Sequence, residues 1–111
     1  MNWALLIYSG HREEPPPEEA QPLLQEHRAL QAEAAERILS IARLDAPDTA
    51  RVVTRRDDDF ALTDGPYLET HEWLVGFYLF QGTEAEAIAA GQRICPYRGH
   101  VEVRPVTWMP R

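Results

Sequence analysis

The sequence contains no lysine, because all 11 of its basic residues are arginine. Mechanisms that use a lysine Schiff base or a lysine nucleophile are therefore excluded. There is one cysteine, Cys95, so no disulfide can form within the chain, which fits a reducing compartment. Because Cys95 precedes a proline at the end of an apolar helical pattern, we expect it to be buried as a small hydrophobic residue.

Positive charge is also scarce, since 11 basic residues stand against 18 acidic ones and the net charge is −7. This balance argues against a surface that follows nucleic-acid phosphates. No apolar run approaches the roughly 18 residues that span a bilayer, and no basic region precedes a long apolar segment at the N-terminus. We expect a cytoplasmic protein with neither a nucleic-acid nor a membrane partner.

The chain of 111 residues is 44% hydrophobic, which suits one domain with its own core. Residues 3–8 predict an interior strand buried on both faces. Prolines and glutamates crowd residues 10–21 and predict a solvated loop. From Pro22, apolar residues recur every three or four positions, which predicts a helix that must end before Pro47. Its expected inner face is Leu23, His27, Leu30, Ala34, Ile38 and Ile41.

The second half of the chain predicts four strands and one helix. The strands are residues 49–54, 60–63, 73–80 and 101–106, with a charged turn at residues 55–59. Thr83 and Glu86 have the spacing of a capping box and predict a helix through Ile94. Gly91 is unfavourable inside that helix, which a close approach of its backbone to the sheet would explain. The last strand should end or lie at a sheet edge near Pro105.

This order of elements predicts an α+β fold, a ferredoxin-like antiparallel sheet with two helices on one face. In the strand at residues 73–80, alternation places Val75, Phe77 and Leu79 on one face and Leu74, Tyr78 and Phe80 on the other. Both faces are apolar, but two helices cover only one of them. An aromatic-rich face left in water would forgo several kcal/mol at roughly 25 cal/mol per Å². We therefore expect a homodimer that pairs the sheet faces about a two-fold axis.

A turn rich in carboxylates precedes the most apolar segment, where residues 64–72 read DGPYLETHE. Asp-Gly-Pro is a strong turn signal, and residue chemistry alone favours a hairpin turn over a site. The segment resembles the DGPF (DGPFAETKE) signature of the YCII-related proteins, with Tyr67, Leu68 and His71 in place of Phe, Ala and Lys. Residues 1–10, 76–79 and 101–106 resemble that family's strands in the same order.

The resemblance implies a dimeric α+β barrel, and a histidine near the start of the first helix that works with an aspartate in a pocket beside the sheet. His27 occupies the corresponding place, and Asp64 is the expected partner. The resulting hypothesis is an acid–base pair, His27 and Asp64, that acts on a small organic substrate. Two alternatives stay open: His27 could be a core histidine, and Asp64 could only cap its own turn.

Four further residues are candidate ligand contacts: Tyr8, Glu69, His71 and Arg104. Tyr8 and Arg104 could bind a small anion or lie at the rim of the dimer interface. Glu69 could bond a ligand or be a solvated charge, and His71 would make an anion contact pH-dependent. A metal site could in principle use His27, Asp64, Glu69 and His71, but these residues do not have a compact ligand spacing. Gly-rich phosphate loops are absent from the sequence. We expect neither a metal nor a cofactor.

Two functions therefore fit the sequence. One is a small-molecule enzyme that transfers protons without a cofactor. The other is a non-catalytic ligand-binding or regulatory module, for which the resemblance implies a link to extracytoplasmic-function sigma factor signalling. The fold alone does not decide between them.

Overall fold

The computed structural model describes residues 1–11, 13–66 and 71–110. These residues form six strands, two α-helices and a short 3-10 turn at Pro47–Thr49. The elements are β1 (Asn2–Ser9), α1 (Pro17–Glu33), β2 (Ile38–Arg43), β3 (Arg51–Arg56), β4 (Asp59–Asp64), β5 (Trp73–Gln81), α2 (Glu84–Arg93) and β6 (Gly99–Pro105). Four of the strands make one antiparallel sheet in the order β2-β5-β1-β6.

That sheet confirms the predicted fold class. Without the β3–β4 hairpin the chain runs βαββαβ, and its sheet order, with the fourth strand beside the first, is that of a ferredoxin-like fold. Both helices pack on one face of the sheet, where the core lies. The buried apolar side chains are Trp3, Leu5, Ile7, Leu30, Tyr78, Phe80, Ala87, Ala90 and Ile94.

Strand β1 is interior, as predicted, but it is not buried on both faces. Trp3, Leu5 and Ile7 point into the core, whereas Ala4 and Leu6 on the opposite face are only half-buried. The reason is that the helices cover one face alone. The other side of the sheet, which we call the open face, has no covering element among the described residues.

The first helix differs from the prediction at both ends. It begins at Pro17 rather than Pro22, because a proline fits the first helical position and Glu18 and Glu19 favour the positive N-terminal end. It ends at Glu33, and residues 38–43 form the edge strand β2 instead of more helix.

A β-bulge in β2 explains the wrong helix end. Ile38 pairs with Phe80 and Ile41 with Tyr78, so three residues of β2 span two of β5. Both isoleucines therefore reach the helix-covered side although they are three positions apart, which is a helical spacing. Residues 34–46 contain no glycine or proline that would mark the stop.

The predicted strands at residues 49–54 and 60–63 exist as β3 and β4, but they stand outside the main sheet. They form a separate two-stranded hairpin, with a tighter turn at residues 57–58 than expected. The second strand of the ferredoxin-like sheet is β2. The hairpin is therefore an insertion between β2 and β5.

Strand β5 confirms its prediction, with one local correction. A bulge at Val75 pairs Leu74 with Tyr8 and Gly76 with Ile7. Leu74 therefore lies on the open face, and Val75 packs against the core. The sequence alternation had placed these two residues the other way round, because it assumed a regular strand.

Helix α2 has the predicted capping box: Thr83 Oγ1 accepts from Glu86 N, and Glu86 Oε1 accepts from Thr83 N. A Cβ on Gly91 would lie 3.3 Å from Val103 of β6, which confirms the close approach to the sheet. Strand β6 is an edge strand and ends at Pro105, as expected. Cys95 is exposed rather than buried, because it lies beyond Ile94, the C-cap residue of α2.

Candidate functional site

A cavity of about 780 Å³ lies between α1 and the helix-covered face of the sheet, a size common for small-molecule sites. Its walls come from β1, α1, β2, β5 and the segments that follow β1, β2 and α2. The apolar part of the lining includes Ile7, Leu23, Leu24, Ile41, Leu44, Val75, Pro96 and Tyr97. The polar part is Ser9, His11, Glu13, Glu14, Glu19, His27, Gln31, Arg43, Asp45 and Tyr78.

His27 reaches this cavity because it shares a helix face with Leu30, which anchors α1 in the core. Its Nδ1 atom lies 2.6 Å from the hydroxyl oxygen of Tyr78 on β5. The same oxygen accepts a hydrogen bond from Gln31 Nε2, one turn further along α1, at 3.0 Å. A bonded row of three side chains thus joins the helix to the central strand.

One arrangement of protons satisfies both of these bonds. Since Gln31 donates to the Tyr78 oxygen, the phenol proton is available to donate to His27 Nδ1. The neutral ring then carries its own proton on Nε2. Within the described chain no group bonds Nε2, and this atom is not sealed from solvent. The site therefore offers one N–H donor at the inner end of the cavity.

The surroundings keep His27 neutral. Burial, with a smaller effect from the Arg43 cation, lowers the pKa of His27 from its ordinary value of 6.5. Burial likewise raises the pKa of Tyr78, although the hydrogen bond from Gln31 opposes that rise. At neutral pH both groups carry their protons as uncharged hydrogen-bonding partners.

The structure does not bring Asp64 to His27. Asp64 ends β4, and its carboxylate pairs with Arg51 of β3 at 3.1 Å, with both side chains well exposed. Asp64 does not line the cavity that holds His27, and among the described residues no hydrogen bond joins the two. The groups that do meet His27 are Tyr78 and Gln31.

Three of the other four predicted ligand contacts lie away from this cavity. Tyr8 and Arg104 are on the open face, on the side of the sheet opposite Tyr78. Tyr8 stacks on His100, with ring centroids 4.7 Å apart, and Arg104 pairs with Glu102 at 3.6 Å. His71 is exposed beyond the end of β1, where its carbonyl approaches Gly10. Glu69 lies outside the described residues.

Sequence reasoning missed Tyr78 and Gln31. Gln31 follows His27 by four residues, so both share one helix face, and that spacing was available. Tyr78 was assigned only to an apolar strand face. Its pairing with His27 depends on the packing of α1 across β5, which no local pattern specifies.

Two negative findings complete the site. Across residues 1–11, 13–66 and 71–110, no three His, Cys, Asp or Glu side chains lie close enough together to hold a metal ion. Neither helix of this described part is both long and apolar enough to cross a membrane.

The fold and the site define a protein of the ferredoxin-like α+β class with a histidine-containing cavity between its first helix and the sheet. The model of the YCII-related domain family matches residues 1–110, so the chain belongs to that family. The resemblance carried by residues 64–72 is thereby confirmed. A comparison with curated proteins finds no match.

The lowered pKa of His27 has a consequence for stability. The unfolded chain takes up this proton near pH 6.5, before the folded chain does. Between that pH and the folded pKa the unfolded state binds more protons, so we expect stability to fall as the pH drops below about 6.5. Urea titrations from pH 7.5 to 5 would measure this, and His27→Gln should remove part of the loss. If His27→Gln loses as much unfolding free energy as the wild type over this pH range, His27 is not the cause of the loss.

Proposed function

We propose that this protein binds a small molecule in the cavity under α1, and that the ligand accepts a hydrogen bond from Nε2 of His27. The observation that carries the proposal is the bonded row of Gln31, Tyr78 and His27. It uses Nδ1 for a structural contact and leaves Nε2, the N–H of the ring in this arrangement, free for a ligand in a cavity with both apolar and polar walls. Such sites combine apolar walls with a few placed polar groups.

Proton-transfer catalysis is the second candidate. A general base must be unprotonated at neutral pH, which the lowered pKa of His27 provides. Nε2 could accept a proton only in the other tautomer, with Nδ1–H donating to the Tyr78 oxygen, which also accepts from Gln31. The acid–base role first assigned to His27 with Asp64 would need Asp64 to leave Arg51. We therefore rank binding ahead of catalysis.

A ligand screen that monitors the NMR resonances of the His27 ring tests the proposal. We expect neutral carbonyl compounds to shift the His27 NMR resonances and to raise the melting temperature of the wild type. His27→Leu should weaken their binding about tenfold or more, because leucine has no N–H to donate to the ligand and no acceptor for Tyr78. Arg28→Gln, on the exposed side of α1, is the matched control and should change nothing.

The same screen separates the two candidates. Compounds that bind are incubated in D2O, and deuterium uptake beside the carbonyl that depends on His27 would show proton transfer. If no compound in a broad neutral and charged library shifts the His27 resonances, the binding proposal fails.

We also propose that the protein is a homodimer through the open face. Rows of paired residues cross this face: Leu79 lies beside Ala4, Phe77 beside Leu6, and Leu74 beside Tyr8. The β6 edge adds Arg104, Glu102 and His100 to the ends of these rows. An apolar centre with a polar rim is the anatomy of a protein interface.

The hairpin supports the same proposal. Its cross-strand pairs put Val53, Leu62 and Phe60 on one face, and these side chains are about 60% exposed (66%, 59% and 64%). A lone two-stranded hairpin is marginal in water. The radius of gyration is 15.6 Å, against roughly 13 Å for a compact chain of this length. A second copy would cover these surfaces.

A cytoplasmic setting and a regulatory role linked to extracytoplasmic-function sigma factors belong to the same proposal. The lone exposed Cys95 suits a reducing compartment. Ligand binding under α1 would supply the signal that such a role requires.

A further inference from the structure

The outer part of the cavity under α1 is unusually acidic. Four carboxylates line it, those of Glu13, Glu14, Glu19 and Asp45. Arg43 is the only arginine among the described lining residues, and the histidines are counted as neutral. Among the described lining residues, one positive charge against four negative charges leaves a formal excess of −3.

The cation is already engaged. Arg43 lies 3.6 Å from Glu14, and His11 faces Glu19 at 3.5 Å. Among the described residues, Glu13 has no ion pair, and Asp45 accepts a hydrogen bond only from the backbone N–H of Ala46, at 2.7 Å. Among the described residues of the outer part, the charges without an ion pair are therefore negative.

The inner part of the cavity has different chemistry. Leu23, Leu24, Ile41 and Val75 provide apolar walls, and His27 provides a single N–H donor. A molecule that satisfies both parts has an acceptor oxygen at one end, an apolar body, and a positive charge at the other end. An anionic tail would instead meet like charge as it loses water.

We propose that the cavity selects cationic amphipathic ligands, with a carbonyl oxygen on Nε2 of His27 and a protonated amine among the carboxylates of Glu13 and Asp45. This inference rests on the proposed binding function and names its ligand class. It separates this site from one built to hold carboxylates or phosphates, which would place guanidinium groups toward the ligand.

Three compounds with one body test the charge preference: N-(4-aminobutyl)benzamide, N-(4-hydroxybutyl)benzamide and 4-benzamidobutanoate. Dissociation constants come from NMR titrations that follow the His27 ring at pH 7. We expect the amine to bind about tenfold more tightly than the carboxylate, with the alcohol between them. Raising NaCl from 20 to 500 mM should narrow that ratio, because salt screens the mouth charges.

Paired variants assign the effect to the mouth. Glu13→Gln with Asp45→Asn should bring the three dissociation constants to within about threefold of one another. Glu36→Gln with Asp58→Asn removes the same charge from exposed positions outside the cavity and should keep the tenfold ratio. If the carboxylate or the alcohol binds as tightly as the amine or more tightly, the inference about charge is wrong, but the proposal that the cavity binds a ligand still holds. If none of the three compounds shifts the His27 resonances, the proposed ligand class is wrong. The screen of the broad library then tests whether the cavity binds any small molecule.

Discussion

Gly99→Ala is expected to destabilise the fold by at least about 3 kcal/mol, enough to lower the melting temperature by roughly 12 °C or more. Gly99 opens β6 and pairs with Ser9 at the end of β1. A Cβ at this position would lie 2.0 Å from the carbonyl oxygen of Tyr8. Because that atom belongs to the backbone of a central strand, relief requires β6 to move away from β1. Chemical and thermal unfolding of the purified variant would measure the loss.

Gly91→Ala is the matched control for that prediction. Its Cβ would meet only methyl groups of Val103 and Val101, at 3.3 and 3.4 Å, and these side chains can adjust. Alanine also gains about 1 kcal/mol of helix propensity over glycine inside α2. We expect this variant to stay within about 1 kcal/mol of the wild type. A Gly99→Ala protein as stable as Gly91→Ala would show that β6 does not pair with β1 as described.

Some elements could be predicted because one local signal dominates each of them. The Thr83–Glu86 capping box sets the start of α2, and the apolar run at residues 73–80 becomes β5. The fold class followed from the order of such elements. Family resemblance added a check that covers nearly the whole chain, as the match over residues 1–110 confirms.

Bulges explain two of the errors in the fold prediction. At Ile38 and Ile41 a bulge produces a helical spacing within a strand, and at Val75 another bulge exchanges the faces of two neighbours. Periodicity assumes regular geometry, so it misreads an element wherever one residue is added to one strand of a pair.

The candidate site shows a similar division. The apolar stripe of α1 predicted that His27 faces the sheet, the family resemblance made it a site candidate, and in the structure it lines a cavity. Its partner was not foreseeable, because Tyr78 is 51 residues away and approaches through tertiary packing. The turn at Asp64 identified the family, yet its carboxylate pairs with Arg51 on the hairpin. A signature segment can mark a fold without supplying the partner of a candidate catalytic group.

Phe77→Glu is expected to convert a dimer into a monomer. Phe77 lies at the middle of the open face, with Leu6 of β1 and Ala42 of β2 as its cross-strand neighbours. In a two-fold dimer of sheets each substitution places an unpaired carboxylate in the buried centre, and the symmetry doubles the penalty. We expect the dimer dissociation constant to rise by about a thousandfold or more, which corresponds to about 4 kcal/mol. Sedimentation of wild type and variant at 1 to 50 μM would measure this change.

The monomer should survive the substitution, since the side chain at position 77 is only half-buried in a single copy and helices α1 and α2 pack on the other face. Circular dichroism checks that Phe77→Glu remains folded. Gln25→Glu introduces the same charge on the exposed side of α1, away from the open face, and should leave the dimer intact. Should the wild type sediment as a monomer throughout this range, an exposed apolar face is simply tolerated and the dimer proposal is wrong. If Phe77→Glu is folded and still dimeric, the interface is not on the open face. The exposed hairpin surface of Val53, Leu62 and Phe60 would then be the next position to test.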